Sequence, residues 1–499
     1  MPPCRVVPGA RSRRDGRHKP AAVLPPQTEY NVTVAENLIA PETHNEEPAR
    51  RTLKERMLHA GSWTVFAYGC TLLLRLGSNL IITRLLAPEA FGLMSIVVTV
   101  GVVTTLLSDI GLRQAIVHSP HGDEPRMLNT AWTMQIVRGV ILWLVCALIG
   151  LALYLAGQAG SLPPGSVYAA PSLPLLLAFG TLNSMILGFE TTKRFTADRR
   201  IEQKRVVLIE LVAMFFGITI MIVLALMLRS VWAMVIGGMC GTLFSVIAGH
   251  LLLSGHANRM EWDKAFAHQI FSYGKWILAS SLLYGLASNC DKLLLGLWLS
   301  PALLGCFAIA QTLAQILEMG VGRLFSSVAA PAFADVARAN RQRVREVYLR
   351  MRLPFDLLFI SAAGFLFAIG PWLVSVMYDA RYAEAAPILQ ILSFSLIMAR
   401  YGVSTSCYLA LQAPHAQVVL NMARVCAFFL VVPLTYSAFG VQGALWAIAL
   451  HSLAAVPVVW WFDRKFGLAS WRHELLTLAA WPVGWAAGSA LVAAVRWMR

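Results

Sequence analysis

The sequence has few charged residues for its length. Only 13% of the 499 residues are Asp, Glu, Lys or Arg, about half the roughly 25% that is usual in a soluble domain. Hydrophobic residues make up 57% of the chain, and its mean hydropathy is +0.63. These values exclude an ordinary soluble protein and predict an integral membrane protein. The formal net charge is +15, which in such a chain indicates basic loops that fix topology, and not a nucleic-acid surface.

Several catalytic signatures are missing as well. No Gly-x-x-x-x-Gly-Lys-Ser/Thr sequence occurs, so we expect no nucleotide hydrolysis, and no Gly-x-Ser-x-Gly elbow occurs. The eight cysteines have no CxxC spacing, and His118-x-x-His121 has no cluster of further ligands beside it. We therefore expect neither a metal site nor a cofactor. No loop between the apolar runs is long enough to form a catalytic domain.

What the chain does have is long apolar runs. Runs of about 20 residues are long enough to cross a membrane as helices, and they predict an all-α polytopic membrane protein. There are thirteen candidates, with these approximate limits: 63–83, 91–117, 132–156, 171–189, 206–228, 231–253, 270–297, 303–330, 354–378, 386–411, 417–437, 440–462 and 475–495.

The distribution of Lys and Arg predicts the orientation of these spans. Loops after even-numbered runs carry 18 Lys and Arg residues, and loops after odd-numbered runs carry 3. Because basic loops stay in the cytoplasm, this alternation predicts a cytoplasmic N-terminus. The last run would then leave Arg496 and Arg499 outside, so an interfacial position is the alternative for that run.

The first 56 residues differ from the rest of the chain. They are rich in Pro, Arg and Glu and contain no apolar core of a signal peptide, so we expect a disordered, basic cytoplasmic tail. Met57, just before the first run, is an alternative start. The predicted organisation is a tail at 1–56, a six-helix bundle at 57–255, a cytoplasmic linker at 256–269, a second six-helix bundle at 270–462, and a loop with an extra helix at 463–499.

Two stretches of sequence repeat each other. "SNLIITRLLAPEAFG" (78–92) and "SNCDKLLLGLWLSPALLG" (288–305) both begin with Ser-Asn and end with Leu-x-Pro-x-x-x-Gly. The first connects runs one and two, and the second connects runs seven and eight. Equivalent positions in two halves of six spans each predict parallel repeats, with a substrate site in a central cavity between the halves.

The segment "GSWTVFAYGCTLLLRLGSNLIITRLLAPEAFGLMSIVVTVGVVTTLLSDIGLRQAIV" (61–117), together with the Asp-x-x-x-x-Gly run at Asp291, resembles the bacterial polysaccharide transporter family. These are Wzx-type oligosaccharide flippases of the multidrug/oligosaccharidyl-lipid/polysaccharide exporter superfamily. The resemblance covers roughly residues 57–462, and its first hundred residues are the most specific. The thirteenth run departs from the usual twelve or fourteen spans of the superfamily.

The resemblance implies two six-helix bundles around a central cavity and transport by alternating access. The implied cargo is an oligosaccharide repeat unit on undecaprenyl diphosphate, for exopolysaccharide, capsule or O-antigen assembly. Membrane lipids, a polysaccharide polymerase and glycosyltransferases are the implied partners, and no nucleic acid is expected. With no nucleotide site in the chain, a proton or sodium gradient is the expected energy source.

A diphosphate needs cations along its path, and sugars need amides or aromatic rings. Six arginines lie at depth in apolar runs: Arg75, Arg113, Arg138, Arg323, Arg400 and Arg424. Related lipid II flippases carry cationic cavity residues on spans one, two and eight. By analogy with them, Arg75, Arg113 and Arg323 rank first. The predicted substrate-binding residues are Arg75, Asn79, Arg113, Arg323 and Arg400. Structural alternatives are pairing of Arg113 with Asp109, four residues earlier, and snorkelling of Arg138 to the interface.

Carboxylates inside apolar runs are candidates for ion coupling, because charges there are costly and usually functional. We predict Asp291, Glu318 and Asp109 in this role. Asp291 and Lys292 are adjacent, so on a helix they project about 100° apart. We expect Asp291 to turn into the bundle or the cavity and Lys292 to find a different neighbour, with structural pairing as the alternative.

Two other functions stay open at this point. A multidrug exporter of the same superfamily fits the span layout, but its cargo is usually cationic and would meet arginines. An integral-membrane polysaccharide polymerase or glycosyltransferase is the enzyme alternative, and it lacks the sizeable segment outside the membrane that such proteins typically carry.

Overall fold

The computed structural model describes residues 53–108, 111–200, 203–339 and 343–498. These segments are helical and contain no strand. In the first half the helices are α1 (Leu53–Leu85), α2 (Pro88–Leu107), α3 (Leu112–His118), α4 (Pro125–Gln158), α5 (Leu173–Gly180), α6 (Leu182–Gly188), α7 (Lys193–Arg200), α8 (Gln203–Leu228) and α9 (Trp232–Leu252). In the second half they are α10 (Lys264–Trp298), α11 (Pro301–Ala339), α12 (Val344–Met377), α13 (Ala385–Ser393), α14 (Ser395–Ala399), α15 (Gly402–Ala410), α16 (Pro414–Leu450), α17 (Val456–Lys465), α18 (Trp471–Leu478) and α19 (Ala480–Trp497).

Within the described residues, nine helical segments are long and apolar enough to cross a membrane, or ten if one bent pair counts as a span. Several predicted spans consist of more than one helix. The run 91–117 breaks after α2, where Gly111 adopts a left-handed conformation with φ 60°. The run 386–411 consists of three short helices, α13 to α15. The apolar pattern cannot show these breaks, because backbone turns inside an apolar run leave its composition unchanged.

The two Leu-x-Pro-x-x-x-Gly motifs pack directly against each other. Each proline begins a helix, where its missing N–H costs no hydrogen bond. A Cβ placed on Gly92 would collide with the carbonyl oxygen of Pro301, and a Cβ on Gly305 would collide with that of Pro88. This reciprocal contact of α2 with α11 joins the two halves. We call the side of the molecule at which it lies the proline end, and the opposite side, with the Lys- and Arg-rich loops, the basic end.

Loops at the proline end reinforce this contact in the same reciprocal manner. The loop after α4 reaches the second half, where Val167 N–H donates to the Leu299 carbonyl at 3.1 Å. The loop after α12 reaches the first half, where the Tyr382 hydroxyl donates to the Leu86 carbonyl at 2.8 Å. Leu86 and Leu299 are equivalent positions of the two motifs. The repeat that is visible in the sequence therefore has a physical counterpart, in which each half binds the other at matching places.

The connection between the halves is attached to the first half. Asn129 at the start of α4 accepts from the Arg259 N–H at 3.0 Å, and its side-chain amide donates to Glu261 at 2.8 Å. Asp263 caps α10 by accepting from the Ala265 N–H at 2.8 Å. Within the predicted linker 256–269, residues from Lys264 onward already belong to α10.

The last two helices run alongside α12 in the same direction. His473 lies beside Asp356, Gly484 packs against Ser361, and further along the pair, a Cβ on Gly488 would lie 2.8 Å from that of Ala368. Gly484 and Gly488 form a Gly-x-x-x-Gly pattern, which lets helices approach closely within a membrane. The thirteenth run therefore follows a spanning helix along its length, and this favours the crossing over the interfacial alternative.

Replacing Gly305 by alanine tests the reciprocal contact. The new Cβ meets backbone, which cannot move aside, so we expect a loss of about 1–3 kcal/mol or more of folding stability. The measurement is the thermal unfolding midpoint of the purified protein. Gly238→Ala is the matched control, since a Cβ there has nothing within 4 Å. A midpoint for Gly305→Ala equal to that of the control would contradict the packing described.

Candidate functional site

Arg75 and Asn79 lie one turn apart on α1, as predicted. Arg75 is exposed, and no described residue gives its guanidinium a hydrogen bond or an ion pair. Asn79 is half-buried, and its Oδ1 accepts from the Tyr378 hydroxyl at 3.0 Å, which links the first half to the loop after α12. Arg75 is thus a cation in an apolar helix, and its guanidinium donors are available. Asn79 is already hydrogen-bonded to Tyr378 near the proline end.

A cluster at the proline end surrounds the Asn79 contact. Burial raises the pKa of Tyr378 to about 12, so its hydroxyl stays a donor at physiological pH. Arg381 Nη2 donates to the Arg84 carbonyl at 3.1 Å, and Arg381 also pairs with Asp379 at 2.5 Å. The Arg381 hydrogen bond holds the pKa of Asp379 below its usual range. These bonds hold the loop after α12 to the end of α1.

Arg113 lines a cavity of about 350 Å³ at the basic end of the first half. Its Nε pairs with Asp198 of α7 at 2.5 Å. Asp109, the local partner considered from the sequence, lies outside the described residues. Among the other residues that line the cavity are Gln114, Gln135, Arg138, Ser184, Glu190 and Phe195.

The polar side chains of this cavity combine two cations with amides. Arg138 donates to the Ser108 hydroxyl at 3.0 Å and to the Thr105 carbonyl at 2.8 Å, so it is bonded to the end of α2. Gln135 donates to the Leu187 carbonyl at 3.0 Å, while its own Oε1 is buried without a donor. A buried acceptor without a partner is costly. A hydroxyl-bearing ligand in the cavity would satisfy it.

Asp291 turns into the protein, and Lys292 has a different environment. Asp291 is 8% exposed, and its Oδ2 accepts from the Gln311 amide on α11. Lys292 is half-buried. Among the described residues this buried carboxylate is held by an amide and has no cation in ion-pair contact.

Glu318 lies further along α11, near the middle of the apolar region. It is exposed, and Arg424 of α16 is the charge that acts on it. The two are not in ion-pair contact, since no described charge lies within 4 Å of either. The side chain of Arg323, the third predicted cation, lies outside what the structure describes.

Arg400 lies apart from the other predicted residues, in a buried ionic network of the second half. It is 4% exposed, and its Nη2 pairs with Glu474 Oε2 at 2.8 Å. Arg352 of α12 pairs with Asp356 at 3.1 Å, and His473 lies 3.1 Å from the same carboxylate oxygen. The charged members are Arg352, Asp356, Arg400, Asp463, His473 and Glu474.

The charged groups of this network are neutralised and hydrogen-bonded by one another and by neighbouring tyrosines. Tyr408 and Tyr348 donate to Asp463 at 2.7 and 3.0 Å, so its acceptor capacity is filled from inside the protein. A buried pair is costly to break because the remaining charge is left uncompensated. The structure thus assigns the Arg400 guanidinium to packing of α14 against α18. The spacing of Arg352 and Asp356, four residues apart at the start of the apolar run 354–378, was the available sequence signal.

A family model described as "Polysaccharide biosynthesis protein" matches residues 81–387, more than half of the 499 residues. The chain belongs to this family. The match spans both Leu-x-Pro-x-x-x-Gly motifs and the whole connection between the halves. The family predicted from the sequence is thereby confirmed.

Curated relatives are distant in sequence, and their names refer to different polymers. The Escherichia coli K12 lipopolysaccharide biosynthesis protein WzxC is 20% identical over 68% of this chain and 67% of its own length. The Bacillus subtilis teichuronic acid biosynthesis protein TuaB is 20% identical over 68% of each. A succinoglycan biosynthesis transport protein, ExoT of Rhizobium meliloti, is 21% identical over 69% of this chain and 66% of its own length.

Solved structures share the fold. A multidrug resistance MATE family transporter of the MOP superfamily, in an inward-facing conformation, has a TM-score of 0.60 at 12% identity and covers 79% of this chain and 94% of its own. The lipid II flippase MurJ, in an inward closed conformation, has a TM-score of 0.61 at 11% identity and covers 87% and 98%. These neighbours confirm the predicted all-helical fold of two halves.

Removing the charge of Glu474 tests the ionic network of this family member. Glu474→Gln leaves Arg352 and Arg400 without one carboxylate, so we expect a destabilisation of about 3–5 kcal/mol. Thermal unfolding of the purified protein measures it. Glu346→Gln, at an exposed position in the first turn of α12, is the control and should change stability by less than about 0.5 kcal/mol. Equal midpoints in the two variants would show that the network does not stabilise the fold.

Proposed function

We propose that this protein is a flippase that moves undecaprenyl-diphosphate-linked oligosaccharide repeat units across the bacterial inner membrane. The observation that carries the proposal is the set of polar donors and acceptors left available among apolar helices. Arg75 has no described partner, and the Arg113 cavity combines cations with an unpaired amide oxygen. A lipid-linked glycan presents a diphosphate for the cations and hydroxyls for the amides.

The relatives support the substrate class without fixing the polymer. Their names refer to lipopolysaccharide, teichuronic acid and succinoglycan, so what they share is polysaccharide assembly. Cavity shape selects the sugar, and exopolysaccharide, capsule and O-antigen units all fit the proposal. A polymerase and glycosyltransferases are the partners that such a pathway requires. A cationic drug as cargo, the main alternative, would meet arginines at Arg75 and Arg113.

Transport requires the two halves to separate at the proline end and to close at the basic end. The Lys and Arg distribution places the basic end in the cytoplasm. In the described conformation the proline end is held by the α2–α11 contact and by the two cross-half loops. The cargo would enter from the cytoplasmic side and leave when these contacts open.

Proteoliposomes that cannot move a fluorescent polyprenyl-diphosphate oligosaccharide between leaflets would overturn the proposal.

Arg75→Ala tests the cation on α1. Loss of a charge-assisted contact to the diphosphate should abolish polysaccharide export while the protein still reaches the membrane. Export is measured as surface polysaccharide in a deletion strain complemented with the variant, and membrane level by immunoblot. Arg126→Ala, an exposed arginine at the start of α4, is the control. Normal export by Arg75→Ala would remove this residue from the site.

Asp291→Asn tests ion coupling. Asp291, Glu318 and Asp109 are the proposed coupling carboxylates, and Asp291 is buried with an amide as its side-chain partner. The asparagine keeps that hydrogen-bonding shape but cannot bind a proton or a cation through a charge. We expect transport in proteoliposomes to lose its response to an imposed proton or sodium gradient. An unchanged response would leave Asp291 with a structural role only.

A further inference from the structure

Arg424 has no partner in the described part of the molecule. Its side chain is half-buried, and its Nε is buried without an acceptor. Among the described residues no carboxylate lies within ion-pair distance, and Glu318 is the acidic group whose charge acts on it. An arginine in the apolar part of a membrane protein is costly unless something neutralises it. A guanidinium with a buried free donor therefore points to an anion that is bound during function.

Beside Arg424 lies an apolar cavity of about 730 Å³. It is formed because α16 turns back on itself at Gly440, where φ is 63° and ψ is −150°. The first leg of the helix and the second leg with its continuation enclose the cavity, and its lining is almost wholly apolar. Lining residues include Ala427, Val431, Thr435, Trp446, Ala447 and Leu450. Some of these side chains are exposed, so the cavity opens at the surface of the helices.

Helical spacing places Arg424 at one end of this cavity. Arg424, Ala427, Val431 and Thr435 follow one another at intervals of three and four residues, so they share one face of the first leg. Arg424 precedes the first lining residue by one turn, on the side of the basic end. The same face therefore presents a cation followed by about three turns of apolar lining.

We propose that this face binds the carrier lipid of the substrate, with the diphosphate on Arg424 and the first isoprene units in the cavity. The inference rests on the proposed function and adds a carrier site that is independent of the glycan. A polyprenyl diphosphate has an anionic diphosphate at one end and a long, linear hydrocarbon chain at the other. A cavity with a cation at its end matches that shape, and the exposed side chains of its lining leave an opening for the remaining chain.

Glu318 has a defined part in this site. The negative charge of Glu318 acts on Arg424. Glu318 therefore competes with an incoming anion for the Arg424 guanidinium. His451, which lines the cavity, and Asp291 on α10 are the other titratable groups that interact there. Removing the charge of Glu318 should therefore strengthen anion binding, while removing that of Arg424 should weaken it. A general loss of structure cannot produce effects of opposite sign.

The test is binding of undecaprenyl diphosphate to the purified full-length protein, measured by native mass spectrometry. We expect Arg424→Gln to weaken binding tenfold or more, and Glu318→Gln to strengthen it. Ala427→Phe, which fills the cavity next to Arg424, should weaken binding without changing any charge. Arg126→Gln, at an exposed position of the basic end, is the control and should bind as the wild type does.

The outcomes separate this inference from the proposed function. If the wild type binds no undecaprenyl diphosphate, both are overturned. If it binds and the Arg424→Gln and Ala427→Phe proteins bind equally well, the carrier site lies elsewhere and this inference alone falls. Weaker binding by Glu318→Gln would also overturn it. Displacement of the probe by dioleoyl phosphatidic acid at equal concentration would show a general anionic-lipid site instead.

Discussion

The close approach of α2 and α11 is the contact on which the rest of the structure depends. Two glycines, Gly92 and Gly305, allow each helix to touch the backbone of the other at Pro301 and Pro88. The contact is symmetric, so each half supplies the same surface that it receives. Backbone meets backbone there, without side chains that adapt, and such an interface has few intermediate positions. It suits a structure that is either closed at the proline end or fully open there.

The arginines within the helices divide into two groups with different consequences. In the second half, Arg352 and Arg400 are compensated by nearby carboxylates, and they hold the last helices against α12. Arg75 and Arg424 have no ion-pair partner among the described residues, and the Nε of Arg424 is buried without an acceptor. The cost of a lone charge in an apolar setting makes the second group the better guide to a bound anion. Depth in an apolar run, the criterion available from sequence, cannot separate these groups, because compensation depends on tertiary contacts.

The sequence predicted the family, the helical class and the two halves, since apolar runs and helix-initiating prolines are local signals. The motif repeat also indicated where the halves are equivalent, and the structure shows that these motifs meet. The apolar pattern did not show where the run 91–117 is interrupted, which the structure places at a left-handed glycine, Gly111. Glu474, which pairs with Arg400 at 2.8 Å, lies more than seventy residues away in α18, and no local spacing marks it. The cavity between the legs of α16 likewise arises from one backbone turn at Gly440.

Opening of the proline end is the central claim, and a distance between spin labels at equivalent positions measures it most directly. Labels on Glu89 and Ala302, each one residue after its proline, report the separation of α2 and α11 in a background without native cysteines. We expect a single short distance in the empty protein in liposomes, and a second, longer population when polyprenyl-diphosphate oligosaccharide is transported. A single short distance that persists while transport is measured in the same liposomes would contradict the account.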